Sequence, residues 1–250
     1  MSSSIWTRCA GDSEFRALRL QPWRAVEAQH QLSTRKLVDS AEEQILLEEL
    51  IDGAKPPDPI GDRVHYLLST PFRYPPLLHG SRFGGRHERG LWYGSESRRT
   101  MFAEVAYYRF VFFEGTRADL GLTTTQLTAF TVRARSANSI DLLSPPFDAH
   151  RTAIASANRY DATQSLGTAM RDSGVEMFRY PSAREPDGVN VGIFAPTVFG
   201  SAKPRALETW HCSATRERAE FAKREYFGRE FFSFLREAFL ISGALPTPAV

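Results

Sequence analysis

Three polar residues in the stretch 82–104 have side chains that suit the cleavage of a charged substrate. Arg82 lies in a glycine-rich segment, Tyr93 follows eleven residues later at the end of a short aromatic run, and Glu104 follows after another eleven. An arginine can clamp phosphate through a forked, charge-assisted contact. A tyrosine can stack on a flat ring, and a carboxylate can stabilise a cation that develops during bond cleavage.

This set of side chains suits cleavage of the N-glycosidic bond of a dinucleotide, because carboxylates stabilise the oxocarbenium ion in glycoside cleavage. NAD fits as the substrate, since its nicotinamide is already a cationic leaving group. The sequence contains no nucleophile-elbow, zinc-protease or P-loop motif, and its six histidines show no metal spacing. We therefore expect NAD as substrate and no metal.

Each residue also has an ordinary structural alternative. Glu104 would form a helix salt bridge with Arg98 or Arg99. Arg82 would hold a loop carbonyl, and Tyr93 would belong to the core. These alternatives stay open on the sequence alone.

Local patterns predict the elements that position these residues. The glycines of residues 80–90 predict a turn-rich loop, and residues 91–93 predict a short strand. Ser95 or Ser97 is a candidate N-cap for a helix that carries Glu104.

Elsewhere the sequence predicts further strands and helices. Residues 1–15 are expected to form a frayed terminus. A capping box at Ser40 predicts a helix that buries one apolar face, made of Leu46, Leu47, Leu50 and Ile51. Residues 64–69 are expected to form a strand, and residues 217–241 a long closing helix.

The order of these elements bears on the fold class. There is no βαβ rhythm and no strand–GxGxxG–helix unit, which disfavours a Rossmann fold. The pattern favours an α+β fold with mixed or antiparallel sheets and flanking helices. We expect residues 1–60 to form a strand and helix extension packed on a core of residues 61–250, as one compact domain overall.

Composition and charge narrow the class of function. The net charge is +2 and the basic residues are scattered, which argues against a direct nucleic-acid partner. Cys9 and Cys212 form neither a disulfide framework nor a metal motif. The first residues do not read as a secretory signal, and no apolar run has membrane-spanning length. We expect a cytoplasmic protein without a membrane partner.

The central stretch resembles the core motif of the RES-domain toxins, a bacterial family named for an arginine, a glutamate and a serine. The segments SRFGG, RGLWYGSES and TMFAEV match the family pattern and place its arginine, tyrosine and glutamate at Arg82, Tyr93 and Glu104. The segments RYPSAR and GVNVGIF resemble the family's serine segment and place the serine at Ser182. WRAVE resembles the opening strand, which makes Arg24 a second arginine candidate.

The resemblance covers about residues 60–215 and carries implications for fold and function. It implies a fold similar to ADP-ribosyltransferases, with NAD in a cleft between β-sheets. It implies the toxin component of a toxin–antitoxin pair, which transfers ADP-ribose to a host protein or depletes NAD by hydrolysis or phosphorolysis. It also implies a helix-turn-helix antitoxin that blocks the active site. The longer loop after Arg82 and the longer N-terminal part indicate a long-form subfamily.

The resemblance also implies roles for the residues. Arg82 and Arg24 would bind NAD, Arg82 at its phosphates, and Tyr93 would stack near the nicotinamide or ribose. Glu104 would hold a ribose hydroxyl and stabilise the ribosyl cation. Ser182 would position the nicotinamide or hydrogen-bond Glu104.

Other candidates and functions stay open. Arg73 and Arg86 lie near the same loop, but nothing in the sequence singles them out for phosphate contact. An inactive RES-like interaction module is one alternative function, and a nuclease or nucleoside hydrolase toxin is another. We expect transfer of ADP-ribose to a protein at least as strongly as simple NAD depletion.

Overall fold

A computed structural model describes residues 4–28, 37–57, 60–74, 78–225 and 228–247 of the chain. Its strands in these ranges are β1 (Arg16–Leu20), β2 (Trp23–Glu27), β3 (Trp92–Ser95), β4 (Thr123–Thr131), β5 (Ala134–Asp141), β6 (Met177–Pro181), β7 (Val189–Ile193), β8 (Arg205–Ala214), β9 (Arg218–Lys223) and β10 (Phe231–Leu235). They form a ten-stranded sheet in the order β1-β5-β6-β7-β3-β2-β4-β8-β9-β10. The pair β5 and β6 is parallel and the other neighbours are antiparallel.

Helices flank this mixed sheet, which confirms the predicted α+β class. Over the same ranges the α-helices are α1 (Ile5–Arg8), α2 (Ala41–Ala54), α3 (Tyr66–Arg73), α4 (Arg98–Glu114), α5 (Arg151–Ile154) and α6 (Asp161–Asp172). None of the helices described has the length and hydropathy that a bilayer crossing requires.

The centre of the sheet brings together segments that are distant in sequence. Strand β3 lies between β7 and β2, so that Ser95 is paired with Asn190 on one side and with Trp23 on the other. A Cβ atom at Gly94 would lie 2.7 Å from the carbonyl oxygen of Trp23. Glycine is therefore required where β2 and β3 approach each other.

Helix α4 begins directly after β3 and packs against the sheet. The Ser97 hydroxyl accepts a hydrogen bond from the Thr100 amide at 3.0 Å, which identifies Ser97 as the N-cap. The ring of Phe102 stacks on Phe221 with centroids 4.5 Å apart. The predicted helix carrying Glu104 is confirmed.

The expectation of a frayed terminus is wrong for residues 4–15, and residues 1–3 lie outside the described residues. The Ser4 hydroxyl accepts from the Thr7 amide at 3.2 Å and caps α1. Ile5 and Trp6 are buried, and the Trp6 ring lies 6.0 Å from that of Phe147. Phe147 comes from a distant part of the chain, so the local sequence does not reveal this contact.

Helix α2 is confirmed, but its predicted burial is wrong. The Ser40 hydroxyl accepts from the Glu43 amide at 3.1 Å, as a capping box requires. None of the residues of α2 is buried, and Leu46, Leu50 and Ile51 are exposed. The amphipathic pattern predicts the helix, because the pattern is local. It does not determine whether another element covers the apolar face.

Two other predicted elements are also wrong. Residues 64–69 are predicted to form a strand, but residues 66–69 belong to the start of α3, whose Leu68 and Phe72 are buried one turn apart. A short apolar run does not distinguish a strand from a buried helix. Residues 217–241 form the antiparallel strands β9 and β10 instead of a closing helix, with Ala222 opposite Phe231. Residues 226 and 227 of that segment lie outside the described residues.

Candidate active site

A cavity of about 320 Å³ is lined by residues of β2, β3, α4 and the segments around them. Four of the five predicted site residues line it, namely Arg24, Arg82, Tyr93 and Glu104. The fifth, Ser182, contacts Glu104 directly. The fold thus brings together all five residues that the sequence singled out.

Two neutral donors hold one oxygen of the Glu104 carboxylate. Its Oε1 accepts from the Ser182 hydroxyl at 2.8 Å and from Asn190 Nδ2 at 2.6 Å. Asn190 is itself held by the Ser95 hydroxyl, which donates to Asn190 Oδ1 at 2.6 Å. Within the described residues, nothing hydrogen-bonds Oε2 of Glu104. The network therefore fixes the carboxylate while leaving one oxygen for a ligand.

The salt bridge expected as the structural alternative for Glu104 is not formed. Arg98 pairs with Glu208 at 2.6 Å, and Arg99 pairs with Glu185 at 2.6 Å. Both arginines of the first turn of α4 are thus engaged elsewhere.

The Ser182 hydroxyl connects Glu104 to the turn that follows β6. Its oxygen accepts from the amides of Arg184 at 3.0 Å and Glu185 at 3.2 Å. Since both amides can only donate, the single proton of the Ser182 hydroxyl is directed to Glu104. The predicted contact between Ser182 and Glu104 is present.

Tyr93 links strand β3 to the glycine-rich loop. Its hydroxyl accepts from the Phe83 amide at 3.0 Å and lies 3.0 Å from the Ser81 hydroxyl. Burial raises the pKa of Tyr93 to about 12, so the phenol is neutral at physiological pH. The ring meets that of Tyr180 edge-on at 6.4 Å. The hydroxyl thus supports the loop, and Tyr93 contributes to the cavity wall.

Arg82 lies at the tip of a tight turn and combines a structural contact with a place at the cavity. The Ser81 amide donates to the Gly84 carbonyl at 2.7 Å and closes the turn. Arg82 Nη1 donates to the carbonyls of Ile154 at 3.2 Å and Ser156 at 2.7 Å. Its guanidinium also lies 4.6 Å from the ring centroid of Tyr160.

Arg24 is a half-buried cation on strand β2, which neighbours the strand β3 that carries Tyr93. Its Nη1 donates to the Tyr93 carbonyl at 2.7 Å, and its guanidinium lies 5.4 Å from the centroid of the Trp92 ring. Its buried Nε has no hydrogen-bond partner among the described residues. Burial lowers the pKa of Arg24 to about 10. An uncompensated cation of this kind is stabilised by an anion.

The other two arginine candidates are not part of this arrangement. Arg73 Nε donates to the carbonyl of Pro56, and Arg86 Nε lies 2.7 Å from His87 Nε2. Neither arginine is among the described residues that line the cavity.

Several cavity residues were missed by the sequence analysis. They are Tyr107, Tyr160, Tyr180, Arg184 and Asn190. Asn190 carried a signal, because it is the polar residue in the apolar run VNVGI, and a buried amide requires partners. Tyr107 lies three residues after Glu104, hence on the same side of α4.

A family model described as the RES domain matches residues 57–215. This chain belongs to the RES domain family.

A solved structure, the M. tuberculosis MbcT–MbcA toxin–antitoxin complex, is similar at 13% identity, covering 86% of this chain and 94% of that chain with a TM-score of 0.47. Among curated protein sequences, none matches. In the described parts of the chain, no group of three or more histidine, cysteine, aspartate and glutamate side chains could hold a metal ion.

Proposed function

We propose that this protein cleaves the nicotinamide–ribose bond of NAD in the cavity beside Glu104, as the toxin component of a toxin–antitoxin pair. The observation that carries the proposal is the Glu104 carboxylate, whose Oε1 is held by Ser182 and Asn190 while Oε2 lacks a protein donor among the described residues. Membership of the RES domain family supports the same chemistry.

The charge of the cavity favours a ligand with phosphate groups, and its volume is that of a small-molecule site. Arg24 and Arg82 line the cavity and pair with none of the carboxylates of the described residues, so both guanidiniums are available to the phosphates of NAD. The cavity measures about 320 Å³. Small-molecule sites occupy about 300–1,000 Å³, so this volume lies at the lower end of that range.

The bond that breaks joins C1′ of the ribose to the nicotinamide nitrogen. Both bonding electrons go to that nitrogen, which neutralises the positive charge of the ring, and nicotinamide leaves as a neutral molecule. The positive charge then resides on the ribose, where Glu104 stabilises it through Oε2. A nucleophile attacks C1′ and releases its proton to the solvent. Water or phosphate gives NAD depletion, and a protein side chain gives ADP-ribosylation.

The proposed function also involves partner proteins and a division of the chain into a core and an extension. A helix-turn-helix antitoxin would block the cavity, and a host protein would accept ADP-ribose where transfer occurs. Residues 61–250 would form the catalytic core, with a likeness to ADP-ribosyltransferases. Residues 1–60 would form the strand and helix extension, and its strand β2 supplies Arg24 from within the sheet, between β3 and β4.

The acceptor is identified by incubating purified protein and host lysate with NAD labelled on its adenylate phosphate. Label on a protein band indicates a transferase, and free labelled ADP-ribose or its phosphate indicates depletion. Glu104→Gln is the control, because the amide oxygen can accept the same two hydrogen bonds from Ser182 and Asn190 without the charge. Unchanged NAD with the wild-type protein would refute the proposal.

A further inference from the structure

Arg184 is a buried guanidinium on the cavity wall whose protein contacts leave most of its donors unused. The residue is 7% exposed. Its Nη2 donates to the Ala157 carbonyl at 2.8 Å, and its guanidinium lies 3.4 Å from the ring centroid of Tyr107. Across the described residues, no carboxylate pairs with it, and its Nε and Nη1 donate to no protein group. A buried cation in this state is unfavourable until an anion binds.

Arg216 shows how a guanidinium with a structural role is held in the same protein. Its nitrogens donate to the carbonyls of Phe113 at 2.7 Å, Thr116 at 2.9 Å and Ala118 at 3.2 Å. These bonds hold the segment that follows α4 in place, and Arg216 does not line the cavity. Arg184 makes one such bond and does line the cavity. Its remaining donors are therefore available to a ligand there.

Arg82 and Arg184 are anchored on the same turn. Arg82 Nη1 donates to the carbonyls of Ile154 and Ser156, and Arg184 Nη2 donates to that of Ala157. These three carbonyls lie within four consecutive residues at the end of α5. Two guanidiniums fixed to one short backbone segment bring two positive charges to one wall of the cavity.

We propose that Arg82 and Arg184 form a paired-guanidinium subsite for a diphosphate, and that Arg184 makes the site select a dinucleotide over a mononucleotide. Each guanidinium can form a forked contact with one phosphoryl group. Two adjacent guanidiniums therefore match two adjacent phosphoryl groups, whereas a mononucleotide occupies one of them. This inference deepens the proposed function and rests on it for the identity of the substrate.

The first test measures binding of inorganic pyrophosphate by calorimetry and requires no cleavage. We expect Arg184→Met to weaken binding about 10- to 100-fold, the loss for hydrogen bonds to a charged group. Arg216→Met is the matched control, since it removes a carbonyl-anchored guanidinium outside the cavity, and we expect it to leave the affinity unchanged. Equal affinities of the wild-type protein and Arg184→Met, or an equal loss in both variants, would overturn the inference.

The second test compares cleavage of NAD with cleavage of nicotinamide mononucleotide, which has the same scissile bond and one phosphate. We expect Arg184→Met to lower kcat/KM for NAD at least 10-fold more than for the mononucleotide, through a higher KM. An equal loss on both substrates indicates a structural role and overturns the inference. If the wild-type protein cleaves neither substrate, the proposed function fails, and pyrophosphate binding alone decides the role of Arg184.

Folding of the variants is checked by circular dichroism. If Arg184→Met does not fold, Arg184→Lys is used, which keeps the charge and loses the fork. We then expect Arg184→Lys to bind pyrophosphate at least 5-fold more weakly than the wild-type protein, because a single ammonium cannot reproduce a bidentate contact. Wild-type affinity in Arg184→Lys would overturn the paired-guanidinium subsite.

Discussion

Replacement of Ser182 by alanine tests how the network around Glu104 is built. The hydroxyl accepts from the amides of Arg184 and Glu185 and donates to Glu104. Alanine leaves two amides without an acceptor, and a buried unsatisfied donor is unfavourable by about 1–3 kcal/mol. Because Glu185 is less buried than Arg184, we expect a total loss of about 2–4 kcal/mol in unfolding free energy.

The loss of stability is measured by thermal unfolding. For a domain of this length, 1 kcal/mol lowers Tm by about 2–4 °C, so we expect a decrease of about 4–16 °C. Ser201→Ala is the matched control, since that hydroxyl makes a single exposed hydrogen bond to the Lys203 carbonyl. We expect the control to change the unfolding free energy by less than about 0.5 kcal/mol. An equal Tm for Ser182→Ala and the wild-type protein would refute the hydrogen bonds described.

Measuring kcat in two backgrounds distinguishes a loss of Glu104 orientation from a general loss of stability. A hydrogen bond to a charged group contributes about 1.5–3 kcal/mol, so Ser182→Ala should lower kcat for NAD cleavage about 10- to 100-fold. In the Glu104→Gln background the same change should lower kcat less than about 3-fold, because the charge that Ser182 holds is already absent. Equal reductions in both backgrounds would show that Ser182 does not act through Glu104.

Three further predictions concern stability. Tyr93→Phe leaves the Phe83 amide without its acceptor, so we expect the unfolding free energy measured in urea to fall by about 1–3 kcal/mol. An unchanged urea midpoint would contradict this. Burial raises the pKa of Tyr93 and of Tyr107 from 10.0 to about 12. The native state holds these phenols in their neutral form, and the resulting contribution to stability is fully present below pH 10 and lost as the pH rises through 12. The unfolding free energy should therefore fall between pH 10 and 12, and it should fall less steeply in Tyr93→Phe. Trp6→Ala should destabilise the protein by about 3–5 kcal/mol in the same assay, whereas a mobile terminus would show no effect.

The sequence revealed the parts of the site that depend on local signals. Ser97 was one of two N-cap candidates, and the helix that it begins carries Glu104. The aromatic run to Tyr93 predicted a strand, which continues to Ser95. The spacing of Arg82, Tyr93 and Glu104 matched a family motif, and the fold places these residues around one cavity. Local periodicity, capping and motif spacing sufficed for this part.

The remaining parts depend on contacts between distant segments. Trp6 packs against Phe147 as well as against the nearby Phe15, and the terminal sequence alone does not indicate the distant partner. The segment 217–241 has enough apolar residues for a helix, but Ala219 and Phe221 are buried alternately along β9. Arg184 follows Ser182 by two residues, yet its place in the cavity depends on the turn at Ala157. Such pairings are determined by tertiary structure.

Proton NMR tests most directly whether the protein cleaves the nicotinamide–ribose bond of NAD with Glu104 as the stabilising carboxylate. NAD is incubated with the purified wild-type protein and with Glu104→Gln, and the signals of free nicotinamide and of the ribose C1′ proton are followed with time. We expect the wild-type protein to release nicotinamide and Glu104→Gln to do so about 10²- to 10³-fold more slowly, with a Tm close to that of the wild-type protein. Intact NAD in the presence of the wild-type protein, or equal rates for both proteins, would contradict it.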